Sequence, residues 1–152
     1  MKYHLAQLNI AYMKGEDIND PVMVDFVAQL DEVNALAEQS KGFVWRLKDD
    51  TGNATNLEDT GFDDPRIIVN MSTWESIEAL EYFTYRTAHT AVMRDRKKWF
   101  EKMEKMHMVL WWVAMGHQPS VLEAKERLEL LQKYGATPQA FTFRERFDAI
   151  NS

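Results

Sequence analysis

The sequence predicts a single α+β domain over residues 1–152, with a ferredoxin-like β-α-β-β-α-β order and helices on one face of the sheet. Three observations carry this expectation. Apolar segments of strand character stand at residues 3–12, 43–48, 66–72 and 106–114. Stretches with three- and four-residue apolar spacing separate the first strand from the second and the third from the fourth. A composition of 45% hydrophobic and 28% charged residues in 152 suits a chain that closes one core.

Residues 3–12 alternate loosely and carry Tyr, Leu and Ile, the residues of a first strand, and Lys14-Gly15-Glu16-Asp17 ends it. Asp20-Pro21 pairs a capping side chain with proline at the first helical position, which opens a helix to Gln39. Its apolar residues are Val22, Met23, Phe26, Val27, Leu30, Val33 and Ala37, and Gly42 follows where a helix stop is expected. Phe43 to Lys48 reads as the second strand. Asp49 to Pro65 is polar and reads as a solvated connection or a lid; its Asp49-Asp50-Thr51-Gly52-Asn53 has the glycine in the wrong place for a calcium loop. Arg66 to Ser72 is the third strand.

Thr73 is the expected cap of a helix starting at Trp74, with Trp74, Ile77, Leu80 and Phe83 on one face. A second helical stretch runs from Tyr85 to Met103, with a bend between Phe83 and Ala88. Met106 to Ala114 is the fourth strand. Ser120 and Glu123 form a capping box for a third helix ending at Tyr134-Gly135, so residues 116–152 make a C-terminal helical extension and a tail with Phe141-Thr142-Phe143.

The fourth strand is apolar on both sides: Met106, Met108, Leu110 and Trp112 on one, Val109, Trp111 and Val113 on the other. Helices on one face leave the second side to be covered by another sheet of the same kind. The expectation is a homodimer, a dimeric α/β barrel.

Charge and composition exclude several classes. A net charge of −6 argues against a nucleic-acid partner, and the cluster Arg94, Arg96, Lys97 and Lys98 is diluted by Asp95, Glu101 and Glu104. The absence of cysteine removes disulfides, thiolate nucleophiles and thiolate metal sites. The first residues lack the apolar core of a signal peptide, and the apolar run Met106 to Gly116 is too short to span a bilayer, so a cytoplasmic location without membrane contact is expected. There is no phosphate loop or dinucleotide fingerprint, and His4, His89, His107 and His117 have no paired metal-ligand spacing.

The constellation that suggests chemistry is a stripe on the whole bent second helix: Tyr82, Tyr85, His89, Val92, Met93, Arg96 and Phe100 fall on one side of a helical wheel. Phenols, an imidazole and a guanidinium among apolar neighbours describe a pocket wall, although rings packed with their tips in solvent give the same pattern. On the first strand Gln7 and Asn9 share a face with Tyr3 and Leu5, and two amides there either need partners if buried or mark an edge or end position that meets water. Asn9 and His89 would flank one cavity if that face looks at the helix.

From Trp74-Glu75-Ser76-Ile77-Glu78-Ala79-Leu80 through Phe83, Tyr85-Arg86-Thr87-Ala88-His89, Arg96 and Trp99-Phe100, the chain resembles an uncharacterised family of small bacterial proteins. That family is of unknown function and sits in the dimeric α/β-barrel, antibiotic-biosynthesis-monooxygenase-like superfamily. Asn9, Phe43-Val44-Trp45-Arg46, Leu110-Trp111-Trp112-Val113, Gly116-His117 and Pro119 fit it too. The Tyr85, His89, Trp99 pattern also resembles spheroidene monooxygenase, a haem-dependent carotenoid oxygenase. More distantly, Asn9 and His89 match the layout of haem-degrading monooxygenases, but Leu80 stands where that layout has a Trp.

The resemblance implies three readings. In the first, a haem is held by His89 as proximal ligand, with Asn9 on the distal side and Arg86, Arg94 or Arg96 on a propionate. In the second, a cofactor-free monooxygenase or isomerase uses His89 as acid/base with Tyr85 and Asn9 assisting on an aromatic or apolar substrate. In the third, the homodimer binds a small apolar or aromatic ligand, or only builds structure, without catalysis.

Overall fold

The computed structural model describes residues 2–14, 21–47, 67–86, 99–101 and 107–149, with the side chains of Val22, Val27, Leu30, Asp31 and Arg86 excepted. It is a mixed α+β arrangement. In chain order the elements are strand β1 (Tyr3–Tyr12), a 3-10 turn (Pro21–Met23), helix α1 (Val24–Gln39), strands β2 (Phe43–Arg46) and β3 (Ile67–Trp74), helix α2 (Ile77–Arg86), strand β4 (Met108–Ala114) and helix α3 (Val121–Tyr134). The strands form one sheet in the order β2-β3-β1-β4, and every neighbouring pair is antiparallel. The expected Asp20 cap, the Asp49–Pro65 segment and most of the stretch from Tyr85 to Met103 lie outside the described residues.

Side-chain alternation along β1 divides the molecule. Ala6, Leu8 and Ile10 point to one face, where they meet Val109, Trp111 and Val113 of β4 and Ala124, Leu128 and Leu131 of α3 in one buried cluster. Leu5 points to the other face and joins Trp74, Leu110, Ala37 of α1 and Ile77, Leu80 and Phe83 of α2. A third cluster of Met13, Met23, Phe26, Trp99 and Phe100 closes the end of the sheet; there residues 99–101 run beside the end of β1, with Glu101 N–H donating to the Tyr12 carbonyl at 2.8 Å.

Helices α1 and α2 share one face, as expected, while α3 lies on the other, which the sequence reading left to a second sheet. The reason is the C-terminal extension. Leu128 and Leu131 seat α3 on the side that the sequence left for a second copy, and Val109 and Trp111 are fully buried within the chain.

The start of α3 shows how the sequence positions it. Ser120 Oγ accepts from the Glu123 N–H at 3.0 Å, the expected cap. The Glu123 carboxylate takes the Trp111 indole N–H at 3.0 Å and meets His117 Nε2 at 2.8 Å, tying the helix to β4. Gly135 ends α3 at φ 76°, as the Tyr134-Gly135 signal predicts. Beyond it, Leu110 and Phe141 exchange two backbone hydrogen bonds of 2.8 Å, and the Trp112 indole donates to the Phe147 carbonyl at 2.8 Å.

On the opposite face two sequence expectations shift. Thr73 does not cap a helix; β3 continues through Trp74, and Ser76 Oγ accepts from the Ala79 N–H at 3.1 Å instead. The burial of Trp74, stacked on Phe83 at 5.3 Å and met edge-on by Phe43 at 5.4 Å, outweighs its place in a helical pattern. Gly42, after α1, has φ 86°, and a Cβ there would sit 2.5 Å from the Ala79 Cβ. Its lack of a side chain lets the α1–β2 turn touch the first turn of α2.

Candidate functional site

Antiparallel register places polar residues opposite one another on the face that α1 and α2 cover. Gln7 faces Ser72, and Asn9 faces Asn70. Two-residue spacing keeps all four on the same side of the sheet. Gln7, only 5% exposed, donates through Nε2 to Asn70 Oδ1 at 2.7 Å and to Ser72 Oγ at 2.9 Å. Ser72 Oγ also accepts from the Trp74 indole N–H at 2.9 Å. Asn9 Oδ1 is buried and has no hydrogen-bond partner among the described residues. A buried acceptor left unpaired costs about 1–3 kcal/mol.

Above this polar row lies a cavity of about 350 Å³. Phe26, Val33 and Ala37 of α1 and Leu80 and Phe83 of α2 form apolar walls, with Phe43 and Trp74 at one side and Phe100, His107 and Met108 at the end. Volume and lining match the dimensions of small-molecule sites. On the helical side, Thr84 Oγ1 is engaged, donating to the Leu80 carbonyl at 2.8 Å. Among the described lining residues Arg46 is the Lys or Arg present, and its Nε lies 2.9 Å from Glu38 Oε1. No Asp or Glu lines the cavity among them. Nor do the described residues contain a group of three or more His, Cys, Asp or Glu that could hold a metal ion.

The residues expected to carry the site separate here. Asn9 is among the residues that line the cavity. Tyr85 sits at the rim, half exposed, with its ring edge against Phe143 at 5.8 Å. Tyr82 is 63% exposed and does not line the cavity, because Leu80, Phe83 and Thr84 take the inner face of α2. Arg86 ends α2 without a described side chain, and His89, Arg94 and Arg96 lie outside the described residues. Asn70, Ser72 and Trp74 are site residues that sequence reasoning missed. Their signal was two polar residues at strand spacing in a β-branched segment, the same pattern as Gln7 and Asn9.

A family model for a domain of unknown function, DUF3291, matches residues 4–152. The chain belongs to the DUF3291 family. No curated protein matches it. Among solved structures, the NE2512 protein of unknown function from Nitrosomonas europaea is similar at 12% identity, over 77% of this chain and 93% of that one, with a TM-score of 0.47. In this DUF3291 chain the matched span includes the strands, the helices and the polar row of the cavity.

Proposed function

We propose that this DUF3291 domain binds a compact, uncharged, largely apolar molecule in the cavity between the sheet and helices α1 and α2. The observation that carries the reading is the cavity of about 350 Å³ itself, with apolar walls from α1 and α2 and the polar residues Gln7, Asn9, Asn70 and Ser72 on its sheet side. A concave, mostly apolar space with a few polar groups is the usual form of a small-molecule site. The order β2-β3-β1-β4, antiparallel throughout, supports the ferredoxin-like unit as the frame of the site.

A haem fits the described walls less well. Two propionates call for cationic partners, and Arg46 is already bonded to Glu38. The haem reading, and the acid/base reading beside it, depend on His89, Arg86 and Arg96, whose side chains are not among those described. Haemin titration tests them directly: a Soret band lost in His89→Ala supports an axial ligand there.

The binding reading has its own test. Ala37 is buried on the α1 wall, and Ala37→Phe puts a ring into the cavity. Small neutral aromatics such as toluene should change the emission of Trp74, which lines the cavity, in the parent chain and not in this variant. Equal responses from both chains would place binding elsewhere.

A further inference from the structure

We infer that residues 142–146 form a strap that governs entry to the cavity, latched onto α2 by Phe143 and Arg146 beside a mouth at Tyr85. This rests on the reading of the cavity as a ligand site and names how that site is opened.

Two of the described lining residues are exposed, Tyr85 at the end of α2 and Asn70 in β3, and the cavity meets solvent at these two places. The Tyr85 mouth lies in the seam between α2 and the start of β4, where His107 and Met108 close the cavity's end. The C-terminal segment crosses this seam, and both of its ends are fixed on the sheet. Phe141 is fully buried and exchanges backbone hydrogen bonds with Leu110, and the Phe147 carbonyl accepts the Trp112 indole proton. Between these anchors the Glu145 N–H donates to Thr142 Oγ1 at 3.2 Å and the Thr142 N–H to the Glu145 carbonyl at 3.4 Å. These two bonds close residues 142–145 into a compact turn.

The strap grips one face of α2 at two successive turns. Phe143 sets its ring against Tyr85 at 5.8 Å, and Arg146 bonds Glu81, four residues earlier on the same helix face. Arg146 also holds the strap together. Its Nε donates to the Phe143 carbonyl at 2.7 Å, and its guanidinium lies 5.7 Å from the centre of the Phe143 ring. One side chain thus keeps Phe143 at the mouth and ties it to the cavity wall.

The latch is weaker than the anchors. The Arg146 and Glu81 side chains keep 37% and 38% of their surface exposed, and an ion pair so placed holds weakly and is screened by salt. Phe141 has no accessible surface and cannot leave without opening the cluster it shares with Leu80, Phe83 and Leu110. Exposed contacts between two buried anchors are the pattern of a segment that opens locally while the fold stays intact. Lifting Phe143 frees the Tyr85 ring and widens the mouth.

The test follows toluene exchange with the full chain by stopped-flow Trp emission. Arg146→Ala and Phe143→Ala should each raise the association and dissociation rates together by about threefold or more. Kd should stay within about twofold, because neither side chain lines the cavity. Added salt should speed exchange in the parent chain and leave Arg146→Ala unchanged. Glu81→Arg should act like Arg146→Ala, and combining it with Arg146→Glu should restore the parent rates, which a merely structural role at either residue would not do. Unchanged rates in these variants, with toluene still bound, overturn the strap and leave the cavity as a ligand site entered beside Asn70. A weaker Kd at an unchanged association rate overturns it too, making Phe143 part of the wall. No toluene response from the parent chain overturns the ligand site and the strap with it. The salt comparison on the parent chain tests the latch whether or not a variant folds.

Discussion

Asn9 stands under two opposed demands. As a strand residue beside Leu8 and Ile10 it would be more stable apolar, because its buried carbonyl oxygen has lost water without gaining a partner among the described residues. Asn9→Leu should therefore raise the unfolding free energy of the ligand-free chain by about 1–2 kcal/mol, a Tm increase of roughly 2–6 °C. Calorimetric melting checks this, and a fall in Tm would mean that the amide is holding the strand. Half of this site was legible in the sequence. Gln7 and Asn9 stand out because an amide at every second position of an apolar strand is unusual. Asn70 and Ser72 show the same spacing, but a sequence does not state register, and only register brings the two pairs face to face.

Helix α2 shows what element-level patterns resolve and where they fail. Ile77, Leu80 and Phe83 face the core as their spacing predicts, whereas Trp74, which continues the pattern, belongs to β3. A tryptophan satisfies either reading, and its burial between Phe43 and Phe83 decides the matter through contacts that lie far apart in the chain. The helix also depends on a residue outside it. Gly42 combines φ 86° with an Ala79 Cβ in the place that its own side chain would occupy. Gly42→Ala should cost about 1–3 kcal/mol, from the left-handed backbone and from the displacement of α2. Urea unfolding measures it. Because α2 forms one wall of the cavity, the same variant should also bind toluene less tightly.

At the scale of the molecule, an apolar fourth strand was readable, and so was the capped helix that follows it. What covers the strand was not. Ala124, Leu128 and Leu131 mark α3 as amphipathic, yet spacing alone does not distinguish docking on this chain's own sheet from leaving that sheet for a second copy. The two arrangements predict different behaviour for Val109→Asp. With Val109 fully buried beneath α3, an unpaired carboxylate there should cost several kcal/mol, enough to unfold a domain of ordinary stability at any concentration. Circular dichroism and light scattering together check this. A folded monomer from the variant would restore the face as an interface between chains.

The exchange of two backbone hydrogen bonds between Leu110 and Phe141 bears on aggregation. In the order β2-β3-β1-β4, the fourth strand is terminal, and its free amides and carbonyls are a template on which another chain can add a strand. The tail occupies part of that template and holds itself there through the Phe147 carbonyl on Trp112. A chain cut after Gln139 keeps all of α3 but uncovers a short run of Val, Leu and Trp with strong strand propensity. Such a chain should form thioflavin-binding aggregates at concentrations where the full chain stays dispersed, and a charge introduced at Trp112 should suppress them. The C-terminal segment, on this view, acts as a gatekeeper against fibres.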